Sequence, residues 1–142
     1  MYLLDTNIIS ELRKRDRANP GITRFFRQMV EQEIITYLSV ITTGELRRGV
    51  DIIRHRGDAT QAKSLETWLQ IIIDRYAENI LDFGSEEAQI WGRLRVPYPE
   101  NALDKQIAAT ALVYDLTLVT RNIKILLQPE LLFSIPSSNP MN

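Results

Sequence analysis

Three acidic residues stand where an α/β chain could use them for chemistry: Asp5, Glu45 and Asp104. Asp5 closes the short apolar run Tyr2-Leu3-Leu4. Glu45 follows the β-branched and aromatic stretch Ile34 to Val40, and Asp104 opens the apolar stretch "DKQIAATALVY". If these runs are neighbouring strands and helices of one parallel sheet, all three acids project near its carboxyl edge, where open α/β sheets place their sites. Carboxylates brought together cannot all stay ionised without a counter-charge, because like charges raise one another's pKa. A divalent cation resolves that conflict, and hard oxygen ligands suit Mg²⁺ or Mn²⁺. Such an ion beside a phosphodiester activates water and stabilises charge developing on the phosphate oxygens.

Each acid also has a purely structural reading. Asp5 can serve as an N-cap or Asx turn. Thr42 and Glu45 have the Thr-x-x-Glu spacing of a capping box. Asp104 sits in a first helical turn, which favours a carboxylate. Their joint placement, more than any one of them, points to a metal-dependent phosphoester chemistry.

Composition narrows the alternatives. The 142 residues are 44% hydrophobic and 25% charged, the profile of one ordinary globular domain. The chain contains no cysteine, which excludes a disulfide framework, a thiolate metal site and a thiol nucleophile. His55 is its one histidine, which disfavours imidazole metal sites and a Ser/His/Asp triad. Glycine-rich phosphate loops of the GxGxxG or GxxxxGK types are missing. No apolar run reaches membrane-span length, no signal peptide is expected, and a cytoplasmic location fits. With a net charge of −1, a strongly basic nucleic-acid footprint is absent. The local group Arg13, Lys14, Arg15, Arg17, Arg47, Arg48, Arg54 and Arg56 reads first as solvated helix faces.

The elements that must position the acids follow from periodicity. Tyr2–Leu4, 34–40, 80–83, 116–120 and about 131–135 read as strands. Helices are expected to about Lys14, over 22–32, from near Thr42 to Arg54, from Asp58 to Tyr76, over 85–95 and over 103–114. A short helical turn is expected near 122–127. Alternating strands and helices imply βαβ units and a parallel sheet with helices on both faces. His55 reads as an exposed helix-end residue, Trp68 and Trp91 as core or interface, and Glu86 and Glu87 as stabilisers of a helix start.

The segments "YLLDTNIIS" at 2–10, "SVITTGELRRG" at 39–49, "LDKQIAATAL" at 103–112 and "LTLVTRN" at 116–122 resemble the successive motifs of PIN-domain ribonucleases. They are most similar to the VapC toxins of toxin–antitoxin pairs. The resemblance implies an α/β fold, a PIN-like three-layer sandwich with a central parallel sheet flanked by helices. The resemblance covers about 1–127; the last expected strand extends the domain to 1–135, and 136–142, rich in Ser, Pro and Asn, reads as a disordered tail. The resemblance also implies a Mg²⁺-dependent endoribonuclease with Asp5, Glu45 and Asp104 as metal ligands and catalytic acids. Thr6, Asn7, Thr120 and Asn122 match supporting polar positions, and Arg47, Arg48 and Arg121 are candidates for binding RNA phosphates. The implied partners are RNA, a cognate VapB-like antitoxin and a second copy of the chain.

The sequence departs from the family pattern in one place. Where a fourth acid is expected after "TRN", this chain has Ile125. The competing expectation is therefore a catalytically weakened PIN domain that acts as an antitoxin-binding protein.

Overall fold

The computed structural model describes residues 1–121 and the strand residues 132–134. The expected helical turn near 122–127, the polar position Asn122, the departure at Ile125 and the expected tail lie outside the described residues. The strands are β1 (Tyr2–Leu4), β2 (Thr36–Ser39), β3 (Ile80–Leu81), β4 (Thr117–Thr120) and β5 (Leu132–Ser134). The helices are α1 (Thr6–Leu12), α2 (Pro20–Glu31), α3 (Val40–His55), α4 (Ala59–Arg75), α5 (Ser85–Leu94) and α6 (Ala102–Val113). The strands form one parallel sheet in the order β3-β2-β1-β4-β5. β1 lies at its centre and the order reverses there, so the crevice beyond the end of β1 is the topological switch point.

The strands are short and apolar because helices cover both sheet faces. Successive residues point to opposite sides and feed two separate cores. Leu4, Leu38 and Val119 join Ile8, Ile9, Ile22, Leu46, Val50 and Leu69 on the face covered by α1 to α4. Leu3 and Leu118 join Leu94, Ile107, Ala108 and Ala111 on the face covered by α5 and α6.

Helix starts follow local capping chemistry. Asn19 caps α2 through Gly21 and Ile22, with Pro20 at the first helical position. Asp58 caps α4 through the Gln61 amide. Between α3 and α4 the chain turns at Gly57, whose φ of +94° suits a residue without a Cβ. There the Gly57 amide donates to the Arg54 carbonyl and the Asp58 amide to the Ile53 carbonyl, closing a Schellman motif.

One expectation fails at α3. Ser39 is the N-cap, accepting from the Ile41 amide at 3.0 Å, so the helix begins at Val40 rather than near Thr42. Thr42 and Glu45 therefore do not form a capping box. Thr42 is fully buried in the helix, and Glu45 lies in its second turn. Conversely, Glu87 does stabilise the start of α5, accepting from the Gly84 amide at 2.8 Å. His55 ends α3 in an exposed position. Trp68 and Trp91 pack partly buried against the two cores.

Candidate active site

Asp5 occupies the switch point. It caps α1 and is 3% exposed, so its carboxylate is largely withdrawn from water. Both oxygens are held: Oδ1 accepts from the Thr6 amide at 2.7 Å, and Oδ2 accepts from the buried Thr120 hydroxyl at 2.6 Å. Its backbone amide donates to the Val119 carbonyl, which fixes Asp5 against the end of β4. A second link crosses from α1 to α3, where the Thr6 and Thr42 hydroxyls are hydrogen-bonded at 3.0 Å. Thr42 and Glu45 lie three residues apart on α3, so this bond sets the helix carrying Glu45 against the helix that Asp5 caps.

Asp104 arrives from the opposite layer. It lies in the first turn of α6, and the loop leading there is tied down by three side chains. Arg95 Nε donates to the Pro99 carbonyl at 3.1 Å, Trp91 Nε1 donates to the Ala102 carbonyl at 2.9 Å, and the buried Lys105 ammonium donates to the Tyr98 carbonyl. Asn101 makes the turn into the helix with φ +59°, a conformation asparagine tolerates better than most residues.

Asp104 and Glu45 act on Asp5 through their charge. Burial pushes the Asp5 carboxyl up to about 6 from its ordinary 3.8. The Thr120 and Thr6 hydrogen bonds oppose the rise, and the negative charges of Asp104 and Glu45 add to it. Burial also raises the Asp104 carboxyl. Both acids thus lie within electrostatic reach of Asp5. Even so, no three His, Cys, Asp or Glu side chains among the described residues stand close enough to cage one ion together. The donor set of three carboxylates flanked by hydroxyls has the chemistry of a hard divalent-cation site, without a closed cage.

The supporting residues divide. Thr6 and Thr120 hold Asp5 directly, whereas Asn7 is exposed and lines a polar depression next to it. Arg47 is engaged by Glu66 at 2.9 Å and faces Asp51 at 3.8 Å; Arg48 is exposed on α3. Arg121 follows Thr120 directly and pairs with Glu11 at 3.1 Å. Sequence reasoning gave Thr42 a capping role in place of its bond to Thr6, and missed Glu11. The 42-46-50 spacing, which puts Thr42 on the buried stripe of α3 with Leu46 and Val50, was the available sign for the first.

The family model of the PIN domain matches residues 2–127. The fold is similar to the FitAcB complex from Neisseria gonorrhoeae, with a TM-score of 0.75 and 33% identity over 88% of this chain and 90% of that one. It is also similar to VapBC2 from Rickettsia felis bound to a promoter DNA fragment, with a TM-score of 0.66 and 24% identity over 87% and 88%. A toxin–antitoxin complex from Klebsiella pneumoniae matches with a TM-score of 0.56 and 24% identity over 87% and 88%. No curated protein sequence matches the chain.

Proposed function

The chain belongs to the PIN-domain family, and from that premise we propose that it is a divalent-cation-dependent endoribonuclease toxin of a VapBC-type pair. The observation that carries the reading is the Asp5 carboxyl: buried at the switch point, oriented on both oxygens, and charge-coupled to Asp104 and Glu45. Asp5, Glu45 and Asp104 would hold Mg²⁺ or Mn²⁺. The bound ion supplies Lewis-acid activation of water and stabilises charge on the scissile phosphate.

The chain's own residues prepare the site. Thr120 and Thr6 aim the Asp5 oxygens, and the Thr6–Thr42 bond sets the approach of α3. The bonded loop before α6 delivers Asp104. Asp5, burdened by burial and two neighbouring charges, is primed to accept a cation in place of a proton.

The test is cleavage of structured RNA by the purified chain with Mg²⁺, with EDTA, and in the Asp5→Asn variant. Cleavage is expected with Mg²⁺ alone, and equal cleavage in all three would reject the reading. Ile125 favours a second reading, a catalytically weakened PIN domain that binds an antitoxin. Absence of cleavage by the wild type, with gain of cleavage in Ile125→Asp, would establish it.

The proposal extends to partners. The similar structures include complexes described as VapBC and as toxin–antitoxin, which supports a VapB-like antitoxin for this chain. A basic antitoxin side chain reaching Asp5 would answer its charge as a cation does. The reading also includes a homodimer and a cytoplasmic location; among the described residues no helix is long and apolar enough to cross a membrane. Light scattering of the chain expressed with its neighbouring gene products should give a dimer carrying a small partner, and a lone monomer would count against both the homodimer and the antitoxin.

A further inference from the structure

Beside the Asp5 centre, Asn7, Ser10, Glu11, Arg13, Lys14 and Arg121 line a polar depression. Three are cations and one is a carboxylate, so the lining carries an excess of positive charge in a chain whose net charge is −1. The carboxylate is not a surface group. Glu11 is 8% exposed, its Oε2 accepts from the buried Asn19 amide at 2.8 Å, and its Oε1 accepts from both Lys14 Nζ and Arg121 Nη1 at 3.1 Å. An ammonium has three donors and a guanidinium five, and Glu11 takes one from each. Asn7 lies two residues beyond Asp5 on α1, and Arg121 follows Thr120, which holds Asp5. The depression is therefore joined to the acidic centre along both chain segments.

We propose that this depression is a subsite for a backbone phosphate of a nucleic-acid strand, with Glu11 as the positioning residue that holds Lys14 and Arg121 in place for it. A planar guanidinium beside an ammonium suits phosphate oxygens, and such contacts fix a strand's register without reading its bases. This deepens the nuclease reading and rests on it for the subsite's place in the reaction. The acids handle the scissile group, and the cations hold the chain next to it. The strand's source follows from phosphate chemistry alone, so RNA and DNA should use the subsite alike.

The experiment is fluorescence anisotropy with the full chain in EDTA, using a labelled 2′-O-methyl RNA 12-mer, which resists cleavage, and the matching DNA strand. Lys14→Ala and Arg121→Ala should each weaken binding about tenfold for both strands and lower the salt slope by about one. Glu11→Gln discriminates between mechanisms. Removing a negative charge should tighten binding if the cations act only through net charge, whereas loss of positioning should weaken it about threefold or more. Unaltered binding in Lys14→Ala and Arg121→Ala, or no binding by the wild type, overturns the subsite. Tighter binding in a folded Glu11→Gln overturns the positioning role. If Glu11→Gln does not fold, the two exposed-cation variants decide. Displacement by a glutamate peptide at concentrations where inorganic phosphate fails would assign the cations to an acidic protein segment and reject the phosphate. Mg²⁺-dependent cleavage is scored separately: binding losses without wild-type cleavage keep the subsite and reject the nuclease, and cleavage without binding losses does the reverse.

Discussion

Helix α1 carries a buried carboxylate near each end, Asp5 at its N-cap and Glu11 in its last turn, and the fold treats them in opposite ways. Burial pushes both upward. At Glu11 the Asn19 amide, Lys14 and Arg121 outweigh it and hold the carboxyl below its usual range. At Asp5 the Thr120 and Thr6 bonds do not outweigh it, and the neighbouring acids are Asp104 and Glu45 rather than cations, so the carboxyl rises to about 6. The first arrangement is complete within the protein. The second places like charges where a cation would relieve them, and a protein that tolerates this at a topological switch point has stability to gain from a ligand.

The largest effect that can break this contrast is catalytic. Asp5→Asn should lower Mg²⁺-dependent RNA cleavage at least about a hundredfold, because preorganised charge at the reacting phosphate carries much of the rate. The same variant should behave oppositely in stability. A carboxyl whose folded value is raised loses its favourable contribution as pH climbs from 3.8 to about 6, so metal-free Asp5→Asn should be more stable than wild type at pH 7 by about 2–3 kcal/mol. The gap should close by pH 4, and urea melts at the two pH values check it. Lower stability of the variant at pH 7 would mean that the charge is already compensated.

Glu11 should show the reverse pattern, with a somewhat smaller effect. Its lowered value contributes stability at neutral pH that disappears as pH falls through that value. Glu11→Ala, which also orphans the Asn19 amide, should destabilise the chain by about 2 kcal/mol at pH 7. The smallest expected effect lies outside the contrast. Arg47 and Glu66 form a partly exposed pair between α3 and α4, so Arg47→Ala should change stability by less than about 1 kcal/mol. A larger loss in thermal melts would show that Arg47 does more than bridge two helices.

The five strands were legible because each is a short run dominated by apolar, β-branched or aromatic residues bounded by turns. Most helix limits followed from their stripes. The start of α3 was not, because Ser39 and Thr42 are both good caps and only the sheet geometry at the end of β2 selects Ser39. Of the candidate site, the positions of Asp5 before α1 and of Asp104 in the first turn of α6 followed from the element order alone. The role of Thr42 did not, since its partner Thr6 lies on another helix. Glu11 was invisible for the same reason: its partners Asn19 and Arg121 reach it through the fold, the latter from the end of β4.

The account stands or falls on whether the Asp5 end of α1 is built for a cation and the Glu11 end is not. Carbon-13 NMR titration of the two side-chain carboxyls, with and without saturating Mg²⁺, asks this directly. Without the ion, Asp5 should titrate near 6 and Glu11 below the usual carboxylate range. With Mg²⁺, the Asp5 midpoint should fall by at least about one unit, as an opposite charge beside a carboxylate requires, while Glu11 stays in place. An Asp5 midpoint unmoved by Mg²⁺, or one already at its ordinary value without it, would contradict the claim.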